Sequence, residues 1–138
     1  MNGGAGLRRM AAEIVLGIFR VEATVKNPRE EHWARRVSLL VDTAATYSVL
    51  PADVIEALGV LPSGSRRVRL ASGRTDQWPV AVVIMTLEGQ EWPTMCLVGP
   101  RAGPALLGAV TLEQFALGVD PVAMRLVPIE SYLMACAR

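Results

Sequence analysis

Histidine and cysteine are almost missing from this chain of 138 residues: His32 stands alone, and the thiols are Cys96 and Cys136. That scarcity excludes a structural zinc set, since neither cysteine lies at a metal-ligand spacing and one imidazole cannot complete the ligands. Two such thiols fit buried or tail positions in a reducing cytosol, so a cytoplasmic setting is expected. Long apolar runs are missing too. Charges and turn residues interrupt every stretch short of the ~20 residues that cross a bilayer, so no membrane partner is expected. Neither sign of charge prevails, with 14 Lys+Arg against 13 Asp+Glu, and the formal charge of +1 provides no global field to draw nucleic acid. Aromatic residues make up 5% of the chain, too few to interleave with the arginines as base-stacking platforms.

What remains is one domain's worth of chain, long enough to bury a core without disulfides or a metal. The expected division is a flexible tail over residues 1–13, a folded domain over 14–130, and a terminal segment, 131–138, that frays or joins a sheet between subunits. Gly3, Gly4 and Gly6 lack the spacing and the following Lys-Ser/Thr of a phosphate loop. Arg8 and Arg9 ahead of an apolar stretch imitate a signal peptide, but Glu13 interrupts that stretch and its pattern runs on into a strand.

That strand spans residues 17–26, where Phe19, Val21, Ala23 and Val25 alternate with Arg20, Glu22, Thr24 and Lys26. A polar turn follows, and residues 36–41 return as a strand buried on both faces near Val41. Residues 51–58 predict a short helix, with Pro51 at its first helical position and Gly59 past its end. Residues 66–70 and 78–87 predict a long hairpin turned by Ala71, Ser72, Gly73 and Arg74, with a further strand within 92–98. Thr111 and Gln114 form a capping-box pair that predicts a second helix over 111–117, and the last strands flank Asp120-Pro121. Short strands, frequent turns and two small helices indicate a mostly β, barrel-like domain.

Leu40-Val41-Asp42-Thr43-Ala44-Ala45-Thr46-Tyr47 carries the chemistry. An ionisable aspartate directly after a buried strand is costly unless it is paired, hydrogen-bonded or functional. Thr43 offers a hydroxyl to a neighbouring backbone, and Ala44 and Ala45 keep the loop slim enough for another chain to approach. Spacing alone leaves a blander reading open, in which Asp42 closes an Asx turn at a strand end. This loop resembles the Asp-Thr-Gly-Ala-Thr active-site loop of the retropepsin-like, retroviral-type aspartic proteases (clan AA). The run Leu106-Leu107-Gly108, followed by a helix, is similar to that clan's second signature. The loop and the ending through Leu112-Glu113 are most similar to a small prokaryotic group within the clan, and the likeness covers about residues 17–128.

The resemblance implies an aspartic endopeptidase on a single-domain retropepsin-like β-barrel with a flap, acting on protein or peptide substrates without cofactor or metal. The chain has one such loop, so the catalytic dyad implies a homodimer in which each subunit supplies Asp42. Thr43, Ala44 and Ala45 then support the active-site loop, Leu107 and Gly108 support it from the second motif, and Ser72, Gly73 and Arg74 form the substrate-binding flap. One departure stands out: Ala44 replaces the family's glycine, which favours an alternative, a catalytically weak or inactive homodimer that binds peptides in the same cleft. If that position needs a positive φ, alanine costs about 1 kcal/mol.

Other classes fit less well. Asp53, Asp76 and Asp120 have ordinary roles at a helix start, beside a turn and before proline. Arg66, Arg67 and Arg69 with Arg35 and Arg36 read as solvent-facing strand charge rather than a nucleic-acid interface. A serine or cysteine hydrolase would need His32 to reach Ser48 or Cys96. Trp33, Trp78 and Trp92 are expected in the core or a dimer interface.

Overall fold

The computed structural model describes residues 19–131 and 133 of the chain. The expectations for the tail at 1–13, for Cys136 and for most of 131–138 lie outside the described residues. Nine strands and two short helices make up the described part.

Strand β1 (Arg20–Lys26) buries Ala23 and Val25 and turns Arg20 and Glu22 outward, as its alternation predicts. The chain reverses around Asn27, a buried residue whose Oδ1 accepts the N–H groups of Arg29 and Glu30 while its Nδ2 donates to Leu58 O at 2.9 Å. This Asx-type turn satisfies a buried amide and ties the reversal to the first helix. Strand β2 (Ala34–Val41) then pairs antiparallel with β1, from Lys26 opposite Ala34 to Arg20 opposite Leu40.

Four-residue β3 (Ser48–Pro51) is wholly buried and leads directly into helix α1 (Ala52–Ala57). Pro51 is the cap of α1 and not its first residue, because it is the last residue of β3, opposite Gly99, and keeps an extended conformation. Strands β4 (Ser65–Arg69) and β5 (Thr75–Leu87) form the expected hairpin, with Gly73 at φ +88°. Strand β6 (Gln90–Gly99) returns along β5 through Glu88 and Gly89, both at positive φ, the twist that suits a tight hairpin. Then come β7 (Leu106–Leu107), helix α2 (Ala109–Gln114), and a separate hairpin of β8 (Leu117–Asp120) and β9 (Arg125–Pro128).

The main sheet runs β1-β2-β7-β3-β6-β5-β4 and closes into a ring where Thr24, Val25 and Lys26 of β1 pair with Thr86, Met85 and Ile84 of β5. Closure pairs the edges of the six ring strands, while β4 stays outside the ring and pairs only with β5. Val25, Leu39, Val41, Leu50, Val83, Met85, Leu87 and Leu107 fill the ring, and Phe115 plugs one side from behind α2. A smaller apolar cluster of Val49, Val80 and Leu97 lies outside this core, with Tyr47, Val68, Trp78 and Leu106 packed on it. Trp78 thus joins packed structure, whereas Trp33 and Trp92 are 45% and 49% exposed and do not belong to the core of the chain. Among the described residues, no helix is long and apolar enough to cross a membrane.

Candidate active site

Two segments distant in sequence meet at the end of β2. Strand β7 lies parallel to β2, with Val41 beside Leu107, and the Asp42 N–H donates to Leu107 O at 3.0 Å. The Asp42 loop and the Leu106-Leu107-Gly108 run are therefore neighbours. Gly108 is required sterically. A Cβ there would lie 2.5 Å from the Tyr47 carbonyl and 2.9 Å from Ser48 N, so only glycine lets the two segments approach.

The loop is held from below by α2. Ala109 N–H donates to Ala45 O at 2.8 Å and Val110 N–H to Thr46 O at 2.9 Å. These two amides at the helix start would otherwise lack partners, which explains why α2 begins at Ala109 and not at Thr111. Thr111 makes no cap. It is fully buried inside α2, and its Oγ1 lies 2.6 Å from Ser48 Oγ and 3.2 Å from Thr94 Oγ1. Gln114, the expected capping partner, donates instead to Pro93 O.

Ser48 Oγ also accepts the Gly108 N–H at 3.0 Å. The hydroxyls of Ser48, Thr94 and Thr111 thus form a buried network that ties β3, β6, α2 and the glycine together. Sequence reasoning missed this network. Its signal was available: Ser48 and Thr111 are single polar residues in apolar runs, Ser48-Val49-Leu50 and Val110-Thr111-Leu112, and buried hydroxyls require partners.

Within the loop, Asp42 is half-buried; its Oδ1 accepts the Ala44 N–H at 3.0 Å and its carbonyl accepts the Ala45 N–H at 3.1 Å. The Asx turn is real, and it occupies one carboxylate oxygen. Oδ2 receives no hydrogen bond from the described residues. Thr43 and Ala44 are exposed and Ala45 is half-buried. Ala44 is not among the residues at positive φ, which are Glu88, Ala102, Ala116 and Met124 besides glycines, so its side chain imposes no left-handed strain.

Ser72, Gly73 and Arg74 occupy the exposed tip of the β4–β5 hairpin, where Arg69 Nη1 donates to Gly73 O at 3.0 Å. The tip forms no hydrogen bond with the Asp42 loop. The hairpin joins the loop at its root, where Val68, Trp78 and Tyr47 pack on the same apolar cluster and the Arg66 guanidinium sits 5.6 Å from the centre of the Tyr47 ring.

The remaining aspartates are engaged elsewhere. Asp53 Oδ1 accepts the Ala102 N–H at 2.7 Å, a bond that holds its carboxyl below the usual range. Asp120 Oδ1 accepts the N–H groups of Val122 and Ala123, and Asp76 those of Gln77 and the Trp78 indole. The serine or cysteine hydrolase fails on geometry. Ser48 is buried in the hydroxyl network, Cys96 is buried with its thiol pushed up to about 12 by desolvation, and the exposed His32 lies in the turn before β2, at the opposite end from Asp42. A cavity of about 260 Å³ lined by Asn27, Gly59, Val60 and Leu61 also lies at that far end.

Solved structures share this architecture. The EIAV protease complexed with the inhibitor HBY-793 superposes with a TM-score of 0.57 at 16% identity, covering 75% of this chain and 92% of that one. The simian foamy virus (mac) protease in solution gives 0.50 at 18% identity, covering 70% and 94%. These likenesses establish a retropepsin-like fold. No curated protein matches by sequence. Residues 21–120, which include both motifs and the hairpin, match the aspartyl protease family model, and the chain accordingly belongs to the aspartyl protease family.

Proposed function

We propose that this protein is an aspartic endopeptidase that works as a homodimer, with one Asp42 from each subunit forming the catalytic pair. The carrying observation is the pinned Asp42 loop: its carboxylate is fixed through Oδ1 by Ala44 N–H, its amide by Leu107 O, and its Oδ2 receives no hydrogen bond from the described residues. A half-buried carboxylate held through one oxygen, with the other unbonded among the described residues, is suited to share a site with a second copy. Asp53 is taken by the Ala102 N–H, and Asp76 and Asp120 by groups within three residues of their own positions, so the second carboxylate comes from another chain.

Two carboxylates brought close cannot both ionise readily, and the pair holds one proton between them. The ionised member takes a proton from a water, and the water oxygen attacks the scissile carbonyl carbon. The protonated member hydrogen-bonds the carbonyl oxygen as charge develops there. A proton passes to the amide nitrogen, the C–N bond breaks, and a carboxylic acid and an amine leave. Thr43, exposed beside Asp42, bonds across the two-fold axis to hold the loops in register. Ser72, Gly73 and Arg74 close over the peptide and exclude water.

The ordinary backbone conformation of Ala44 supports activity, because the replacement of glycine costs no left-handed strain. The test is cleavage of a diverse peptide library from acidic to neutral pH by wild type and Asp42→Asn, with oligomeric state recorded in the same samples. Cleavage by a wild-type dimer and none by Asp42→Asn is expected. A folded wild-type dimer that binds peptides without cutting them would replace this function with peptide binding in the same cleft.

A further inference from the structure

The β4–β5 hairpin is strongly unbalanced in charge. Between Ser65 and Trp78 it carries Arg66, Arg67, Arg69 and Arg74 against one acid, Asp76. None of the ion pairs among the described residues, Lys26–Glu91, His32–Glu30 and Arg101–Glu56, involves this hairpin. Asp76 gives its carboxylate to Gln77 N–H and to the Trp78 indole on its own strand.

The arginines are not equivalent. Side chains alternate along a strand, so Arg66 shares the face of Val68, which packs on the same apolar cluster as Tyr47, while Arg67 and Arg69 share the opposite face. Arg69 donates to the turn at Gly73 O. Arg66 is stacked 5.6 Å from the centre of the Tyr47 ring, and Tyr47 belongs to the loop that starts at Asp42. A guanidinium held over an aromatic face loses little rotamer freedom on binding and keeps its N–H edge free for a bidentate carboxylate. It links the root of the hairpin to the loop that carries Asp42.

We propose that Arg66, held on Tyr47 between the hairpin and the Asp42 loop, is a specificity residue that reads a carboxylate on the bound peptide, so the preferred substrates are acidic segments. This inference rests on the peptide cleft proposed above, and it deepens that reading by naming the substrate class.

The experiment compares peptides that differ only by Glu against Gln, scanned through each position flanking a cleavage site. Wild type is expected to favour Glu at one position by about tenfold in kcat/KM, the scale of one charge-assisted hydrogen bond. Arg66→Gln should bring that ratio to about one, Arg66→Lys should retain part of it with greater sensitivity to salt, and Arg67→Gln, on the other face, should keep it. Equal handling of Glu and Gln at every position by wild type overturns the proposal, as does a Glu preference that survives Arg66→Gln. Cleavage of no peptide overturns the protease reading instead. The same peptide pairs, fluorescently labelled, then decide the subsite by anisotropy on Asp42→Asn protein with and without Arg66→Gln, since binding does not require cutting.

Discussion

Gly108 shows how much a single atom decides here. Its φ is ordinary; what it needs is the absence of a Cβ next to the Tyr47 carbonyl. Gly108→Ala should push the Asp42 loop off β7 and destabilise the fold by about 1–3 kcal/mol, as overpacking does, which a urea midpoint will measure. Ala44 is the reverse case. With no left-handed strain to relieve, Ala44→Gly should shift stability by no more than about 1 kcal/mol, and any larger change in kcat/KM reports a methyl group crowding the peptide. Asp53 carries the pH dependence that can be assigned to one group. Its folded carboxyl is held low, first by the Ala102 N–H, so its contribution to stability is present above the usual carboxylate range and disappears as pH falls through the lowered value. Thermal midpoints of wild type and Asp53→Ala should therefore differ near neutrality and converge in acid. The position of Asp42 after a buried strand was legible from residues alone; the demand for glycine at Gly108 was not, since it depends on a contact with a segment distant in sequence.

Among the elements, the strands with clear alternation were the readable ones. Strand β1 and the β4–β5 hairpin lie close to where periodicity and turn residues put them. Strand β3 was missed because all four of its residues are buried, leaving no alternation to detect, and Pro51 drew attention to the helix that follows. Helix α2 was displaced for a related reason. Thr111 and Gln114 have the chemistry of a capping box, but the carbonyls of Ala45 and Thr46 satisfy the first amides of the helix and free Thr111 for the core. That network is testable. Thr111→Val keeps the shape and removes the hydroxyl, leaving the buried Ser48 and Thr94 hydroxyls short of a partner, and should cost about 1–3 kcal/mol. Combining it with Ser48→Ala should cost less than the sum of the two changes, since residues in one network couple.

At the scale of the whole molecule, one chain supplies one Asp42 loop, so the proposed catalytic dyad requires a pair of chains. Specific activity should therefore fall on dilution. Adding excess Asp42→Asn to a fixed amount of wild type should suppress cleavage per wild-type chain in proportion to the wild-type fraction, because mixed dimers hold a single aspartate. Undiminished activity in both experiments would instead locate a complete site within one chain.

The local signals in the sequence determined the class of the fold, the hairpin, the exposed arginines and the one aspartate placed at the end of a buried strand. Each of those depends on neighbours a few residues away, on alternation, turn chemistry or the cost of burying charge. The tertiary structure alone decided the closed ring, the missed strand, the hydroxyl network under the loop and the stacking of Arg66 on Tyr47. These depend on pairings such as β2 with β7 and Ser48 with Thr111, contacts between segments distant along the chain that no local periodicity encodes.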